Sequence, residues 1–141
     1  MAEQCTILFI RSSRKDDEVV NALRSLGFRV VDAEDLPPNE EFRTYHAVIV
    51  HAYTGCPLTM VAARLRAKPR FGRRVLIAFV PIATTDRQKR EAVISGFDLA
   101  VPDDRSARDL AAAVLRSLRP YPEYRCLLRD PNGGRRRHVA A

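Results

Sequence analysis

The run Tyr45-His46-Ala47-Val48-Ile49-Val50-His51-Ala52 constrains this chain more than any other stretch. Its centre is uninterrupted apolar sequence rich in β-branched residues, and a strand of that kind must be covered on both faces. Further apolar runs stand at Thr6–Ile10, Arg29–Val31, Val75–Val80 and Leu99–Val101, and stretches of helical spacing separate most of them. Strands that alternate with helices need right-handed crossovers, which give a parallel sheet with helices on both faces. A doubly wound α/β domain of strand order 2-1-3-4-5 follows. In such a sheet the functional crevice lies just past the carboxyl ends of the strands. Those ends hold Arg11 and Ser12, then His51, then Phe79 and Val80, then Val101.

The helices are marked by their caps and stripes. Asp16-Asp17-Glu18 opens the first, where acidic side chains suit the helix dipole, and Val19, Ala22, Leu23 and Leu26 face inward up to Gly27. Asp32-Ala33-Glu34-Asp35 reads as an acidic turn. Between Pro37-Pro38 and Tyr45 there is room for only about two turns, so a second helix there is expected to be short, irregular or missing. Pro57 suits a first helical position before Leu58, Val61, Ala62 and Leu65, and Lys68-Pro69 ends that helix. Thr85-Asp86-Arg87-Gln88 has the form of a capping box for a helix that runs to Ser95 and closes at Gly96. Ser106 is an N-cap with an acid, Asp109, at the third position, and Leu110, Ala113, Val114 and Leu118 form the last stripe before Pro120. Residues 1–119 are thus one domain. Residues 120–141, with Pro120, Pro122, Pro131, Gly133 and Gly134 ahead of Arg135-Arg136-Arg137, are a loosely attached basic extension.

With 46% hydrophobic and 29% charged residues over 141 positions, the chain can bury one full core. No apolar run is long enough to span a bilayer. Met1-Ala2-Glu3-Gln4-Cys5 lacks the basic and apolar segments of a secretion signal, so a cytoplasmic protein is expected. Cys5, Cys56 and Cys126 are scattered and odd in number, a poor disulfide framework. The favoured reading of all three is buried or incidental thiols in a reducing compartment; Cys56, just before Pro57 at a helix start, is the one candidate for a thiolate with redox chemistry. His46, His51 and His138 make no recognisable metal set, and no cofactor motif such as GxGxxG or a P-loop is present. The net charge of +7 is concentrated in residues 64–74 and in Arg135–Arg137, which are candidates for phosphate contacts. No aromatic platform or recognition helix accompanies them, so sequence-specific DNA reading is not supported.

Residues 5–119 resemble the receiver domain of bacterial response regulators. The resemblance is carried by Ile7-Leu8-Phe9-Ile10 with its polar loop, by Leu23-Arg24-Ser25-Leu26-Gly27-Phe28-Arg29-Val30-Val31, and by Arg64-Leu65-Arg66-Ala67-Lys68-Pro69-Arg70. Ala92-Val93-Ile94-Ser95-Gly96-Phe97-Asp98 and Val101-Pro102 complete it. It implies the flavodoxin-like fold of that family, a five-stranded parallel sheet. It also implies a phosphotransfer pocket: two acidic residues after strand 1 for Mg²⁺, an acceptor Asp after strand 3, a Ser or Thr after strand 4, and a Lys before Pro in strand 5. Clustered carboxylates hold the hard cation, and metal and Lys together neutralise the phosphoryl group. The matching positions here are Arg11 and Ser12, His51, Phe79 and Val101; all five depart from the pattern, so no Mg²⁺ site is expected.

The expectation is therefore a degenerate, non-enzymatic receiver that works through protein contacts, without metal, cofactor or phosphotransfer. Arg11 is either solvated or paired with Asp32, Asp35 or Asp103. His51 is a structural histidine bonded to a loop, a phosphoryl acceptor or a ligand contact, the first being favoured. By the family's habit, the docking or dimer face is residues 85–118, where Ala111-Ala112-Ala113 would admit a close neighbour. The protein partner is not named by the sequence. The alternatives are a nucleic-acid-associated regulator using residues 64–74 and Arg135–Arg137, and an enzyme similar to TIR domains that cleave NAD. The second lacks its glutamate, since Leu58–Lys68 holds no acidic residue.

Overall fold

A computed structural model describes residues 5–11, 16–34, 45–53, 56–67 and 75–120. The chain runs β1 (Thr6–Ile10), α1 (Asp16–Ser25), β2 (Arg29–Ala33), β3 (Ala47–His51), α2 (Leu58–Arg66), β4 (Val75–Val80), α3 (Asp86–Ser95), β5 (Leu99–Pro102) and α4 (Ala107–Leu118). The five strands form one sheet in the expected order β2-β1-β3-β4-β5, all parallel as the alternation requires. The stretch that raised a short or irregular second helix lies outside the described residues, as does the extension beyond residue 120. Among the described residues no helix is long and apolar enough to cross a membrane.

The apolar runs are explained by two core layers. Ile7, Phe9, Ala47, Ile49, Ile77, Phe79 and Val101 face one side of the sheet, where Val19 and Leu23 of α1 and Leu110 and Val114 of α4 cover them. Leu8, Val48, Val50, Leu76, Ala78 and Val80 face the other, under Ala62 and Leu65 of α2 and Ala92 of α3. With both faces used, no position in β1, β3 or β4 before its end can be polar without cost. Ala111 and Ala113 are buried in the first layer, at 1% and 6% exposure, so they pack inward and cannot admit an approaching helix. The stripe on α4 is wide enough to claim them.

Two local readings shift and a third holds. β2 extends through Asp32 and Ala33, which the sequence suggested were turn, because its pairing with β1 continues to Phe9↔Asp32 and Ile10↔Ala33. The backbone N–H of Arg11 then donates to the Ala33 carbonyl at 2.8 Å. Pro57 is the N-cap of α2, one residue before the helix proper. The capping box at Thr85 and Gln88 forms in both directions, at 3.1 and 2.9 Å.

Gly96 closes α3 with φ of 136°, a conformation costly for any residue with a side chain. Its carbonyl accepts from both Nε and Nη2 of Arg66, at 3.1 and 2.6 Å, and Nη2 also reaches Asp98 Oδ2 at 3.1 Å. A Cβ on Gly96 would lie 3.0 Å from Arg66 Cγ. Gly96→Ala is expected to cost about 1–3 kcal/mol, read as a lower denaturant midpoint at unchanged slope.

Candidate functional site

The carboxyl ends of β1, β3 and β5 and the start of α1 converge on one pocket. At its centre is His51, the last residue of the central strand, with a side chain 13% exposed. Its Nδ1 lies 2.5 Å from Asp16 Oδ1 and its Nε2 lies 2.9 Å from Asp103 Oδ2. A neutral imidazole carries one N–H, and carboxylates only accept, so both contacts are satisfied together when the ring is the doubly protonated cation. Burial by itself would lower the pKa of His51. The hydrogen bonds to Asp16 and Asp103, with their charges, outweigh it and hold the pKa above its ordinary value.

Beneath the ring lies Phe79, fully buried on β4 and edge-on to His51 with centroids 6.1 Å apart and planes at 75°. Phe79 meets Phe9 in the same fashion at 6.0 Å and 61°. Val101, 4% exposed on β5, belongs to the same core layer. These two positions are floor, with no polar atom to offer.

Beside this trio, Arg11 follows β1. Its Nε donates to Asp32 Oδ1 at 2.8 Å while Nη2 meets the other oxygen of the same carboxylate, a two-pronged pairing. Nη1 reaches Asp17 Oδ1 at 2.7 Å. Hydrogen bonds to Asp32 and then to Asp17 raise the guanidinium pKa further above its already high value. Asp17 is 66% exposed, so that arm contributes little to stability.

Arg11 and His51 thus sit among four carboxylates, and every one of the four is engaged by one or the other. Such an arrangement does not fit a magnesium ion, which needs carboxylate oxygens turned toward an open centre. Among the described residues no cluster of three or more His, Cys, Asp or Glu is arranged to hold a metal ion.

Of the residues singled out in the sequence, Arg11, His51, Phe79 and Val101 meet in or under this pocket. Ser12 and Arg135–Arg137 lie outside the described residues. Of the three candidate partners of Arg11, Asp32 binds it and Asp35 lies outside the described residues. Asp103 is taken by His51. Asp16 was missed: its place at a helix start is explained by the dipole alone, and only the structure reveals that it is 1% exposed. Arg66, counted among the candidate phosphate contacts, is occupied with Gly96 and Asp98. Cys56 follows the favoured reading of an inert thiol and not the redox one. Burial pushes its thiol up, more than a hydrogen bond with the Tyr53 backbone lowers it, so it rests as the neutral thiol.

A cleft of about 300 Å³ opens on the other side of the strand ends, between Tyr53, Cys56, Thr84, Gln88 and Glu91. No Lys, Arg or His is among the described residues that line it, so it offers no charge to a phosphate-bearing ligand.

No family model and no curated protein matches the chain. Solved structures do. HP1043, an orphan response regulator of H. pylori, matches with a TM-score of 0.70 at 22% identity, over 84% of this chain and all of that one. An atypical orphan response regulator, described as revealing a phosphorylation-independent regulatory mechanism, matches at 0.66 and 23%, over 81% of this chain and 95% of that one. The receiver domain of the sensor histidine kinase PA1611 from Pseudomonas aeruginosa PAO1, with magnesium in its cleft, matches at 0.61 and 20%, over 81% and 97%. The chain has the receiver fold.

Proposed function

We propose that this chain is a receiver-like regulatory module whose pocket is held by its own ion pairs and does not take part in phosphotransfer. The reading is carried by His51, seated between Asp16 and Asp103 at the end of the central strand. That is the place where a receiver of the usual kind carries its acceptor aspartate. A protonated imidazole with both nitrogens engaged has no lone pair with which to attack a phosphoryl group. Arg11, held by Asp32 and Asp17, supplies positive charge where the family carries metal-binding acids. Phe79 and Val101 replace the polar groups that would contact a phosphoryl oxygen. The likeness to orphan and atypical response regulators supports the same reading.

The output is then a docking surface rather than a chemical step. Residues 85–118 are its proposed site, for a protein partner or a second copy. On and just before α3, Ile82, Val93 and Ile94 are 71%, 45% and 84% exposed, more apolar surface than a helix without a partner needs. The mass of the full chain in solution, followed by light scattering, is expected to be the same with and without Mg²⁺ and acetyl phosphate. A mass that changes only when both are present, together with a phosphoryl adduct in the mass spectrum, overturns the reading.

A further inference from the structure

Asp16 and Asp103 differ in a way that gives His51 a second role. The Asp16 side chain is 2% exposed, whereas that of Asp103 is 24% exposed and lies in the turn that leads from β5 into α4. The backbone N–H of Asp103 donates to the Val80 carbonyl at 2.8 Å, and three residues later Ser106 caps α4 by accepting from the Asp109 N–H at 3.1 Å. The His51–Asp103 bond therefore fastens the entry to α4 onto the centre of the sheet.

We infer that His51 is a proton-operated latch: doubly protonated, its ring ties α1 to the β5–α4 turn, and on losing a proton it keeps Asp16 and releases Asp103. The order of release follows from burial. A neutral ring has one N–H to give. A carboxylate closed off from water loses far more by forfeiting a donor than one that can turn into solvent. Of the described groups around the ring, α1 supplies Asp16, the β5–α4 turn supplies Asp103, and β4 supplies only the Phe79 ring. The neighbouring charges, Arg11 after β1 and Asp17 on α1, are matched to one another and to Asp32 on β2. The latch opens as pH rises, because the ring's raised pKa puts the change above the ordinary histidine value of 6.5. The regulatory meaning of the latch rests on the proposed function above; its chemistry does not.

The test is a titration of the full chain by NMR from about pH 5 to about pH 9, reading the imidazole nitrogens and the backbone amides of residues 103–106 together. His51→Gln identifies the His51 ring among three histidines. One ring is expected to carry two protons at pH 7 and to titrate above 6.5, and the 103–106 amides are expected to shift with the same midpoint. Their protection, measured against the intrinsic exchange rate at each pH, should fall about tenfold above it. Asp103→Asn, which leaves the core untouched, should lower the ring midpoint by about 1 unit and disconnect the amides from it. A His51 ring that titrates at or below 6.5, amides that ignore the midpoint, or a midpoint unmoved by Asp103→Asn would each overturn the latch. None of these outcomes bears on whether Mg²⁺ and acetyl phosphate change the mass, so the two readings fail separately.

Discussion

Phe79→Ala is expected to destabilise the protein by about 3–5 kcal/mol, the largest effect of any single change considered for this chain. Phe79 is fully buried, lies in the sheet's central pair of strands, and touches Phe9 edge-on beneath His51. Removing its ring leaves a void that β4 cannot close, because β4 is pinned between β3 and β5. A small domain holds about 5–15 kcal/mol in all, so this one change removes a large share of it. Loss of the cooperative thermal transition, or a denaturant midpoint shifted far down, is the measurement. An unfolding free energy within about 1 kcal/mol of the parent would mean that the ring is not packed as described.

Asp16→Ala should cost about 3 kcal/mol, the low end for breaking a buried ion pair, since His51 keeps a partly exposed edge. This loss should depend on pH in a defined direction. His51 has a raised pKa in the folded protein, so the stability from its pairing is fully present below about 6.5 and is lost as pH rises through the folded value. The gap between parent and Asp16→Ala should therefore narrow as pH rises, without closing, since a neutral ring still donates one bond to Asp16. Urea titrations at a series of pH values give the comparison. A gap that is constant with pH would show that Asp16 contributes through helix capping alone.

The sheet was legible in the sequence because its central strands are buried on both faces, which turns each into an unbroken apolar run. Edge strand β2 was read two residues short, since Asp32 on an exposed strand looks the same as Asp32 in a turn. The pocket was legible by position: Arg11, His51, Phe79 and Val101 fall where strand ends must fall. Its pairing was not. Arg11 and His51 can each pair with a carboxylate, and the sequence offers several aspartates for either. Strand order decides between them. β1 lies beside β2, which hands Asp32 to Arg11, whereas β3 lies at the middle of the sheet, facing the turn that carries Asp103. Asp16 gave no signal of its own, because burial of a helix's first acid is a tertiary fact.

The Arg66 clamp has a consequence for how a disturbance would travel. It joins the end of α2 to the turn after α3, and Asp98, which it also grips, accepts from the Leu76 N–H at 2.7 Å at the start of β4. All of this lies at the end of the sheet opposite His51 and on the α2–α3 side. His51, by contrast, grips α1 and the approach to α4, which share the other core layer. The two sides of the sheet are therefore mechanically unequal. One is bolted down at its base and insulated from the pocket; the other is coupled to it at both of its helices. A partner resting on α4 would be sensitive to the state of His51, and one resting on α3 alone would be deaf to it.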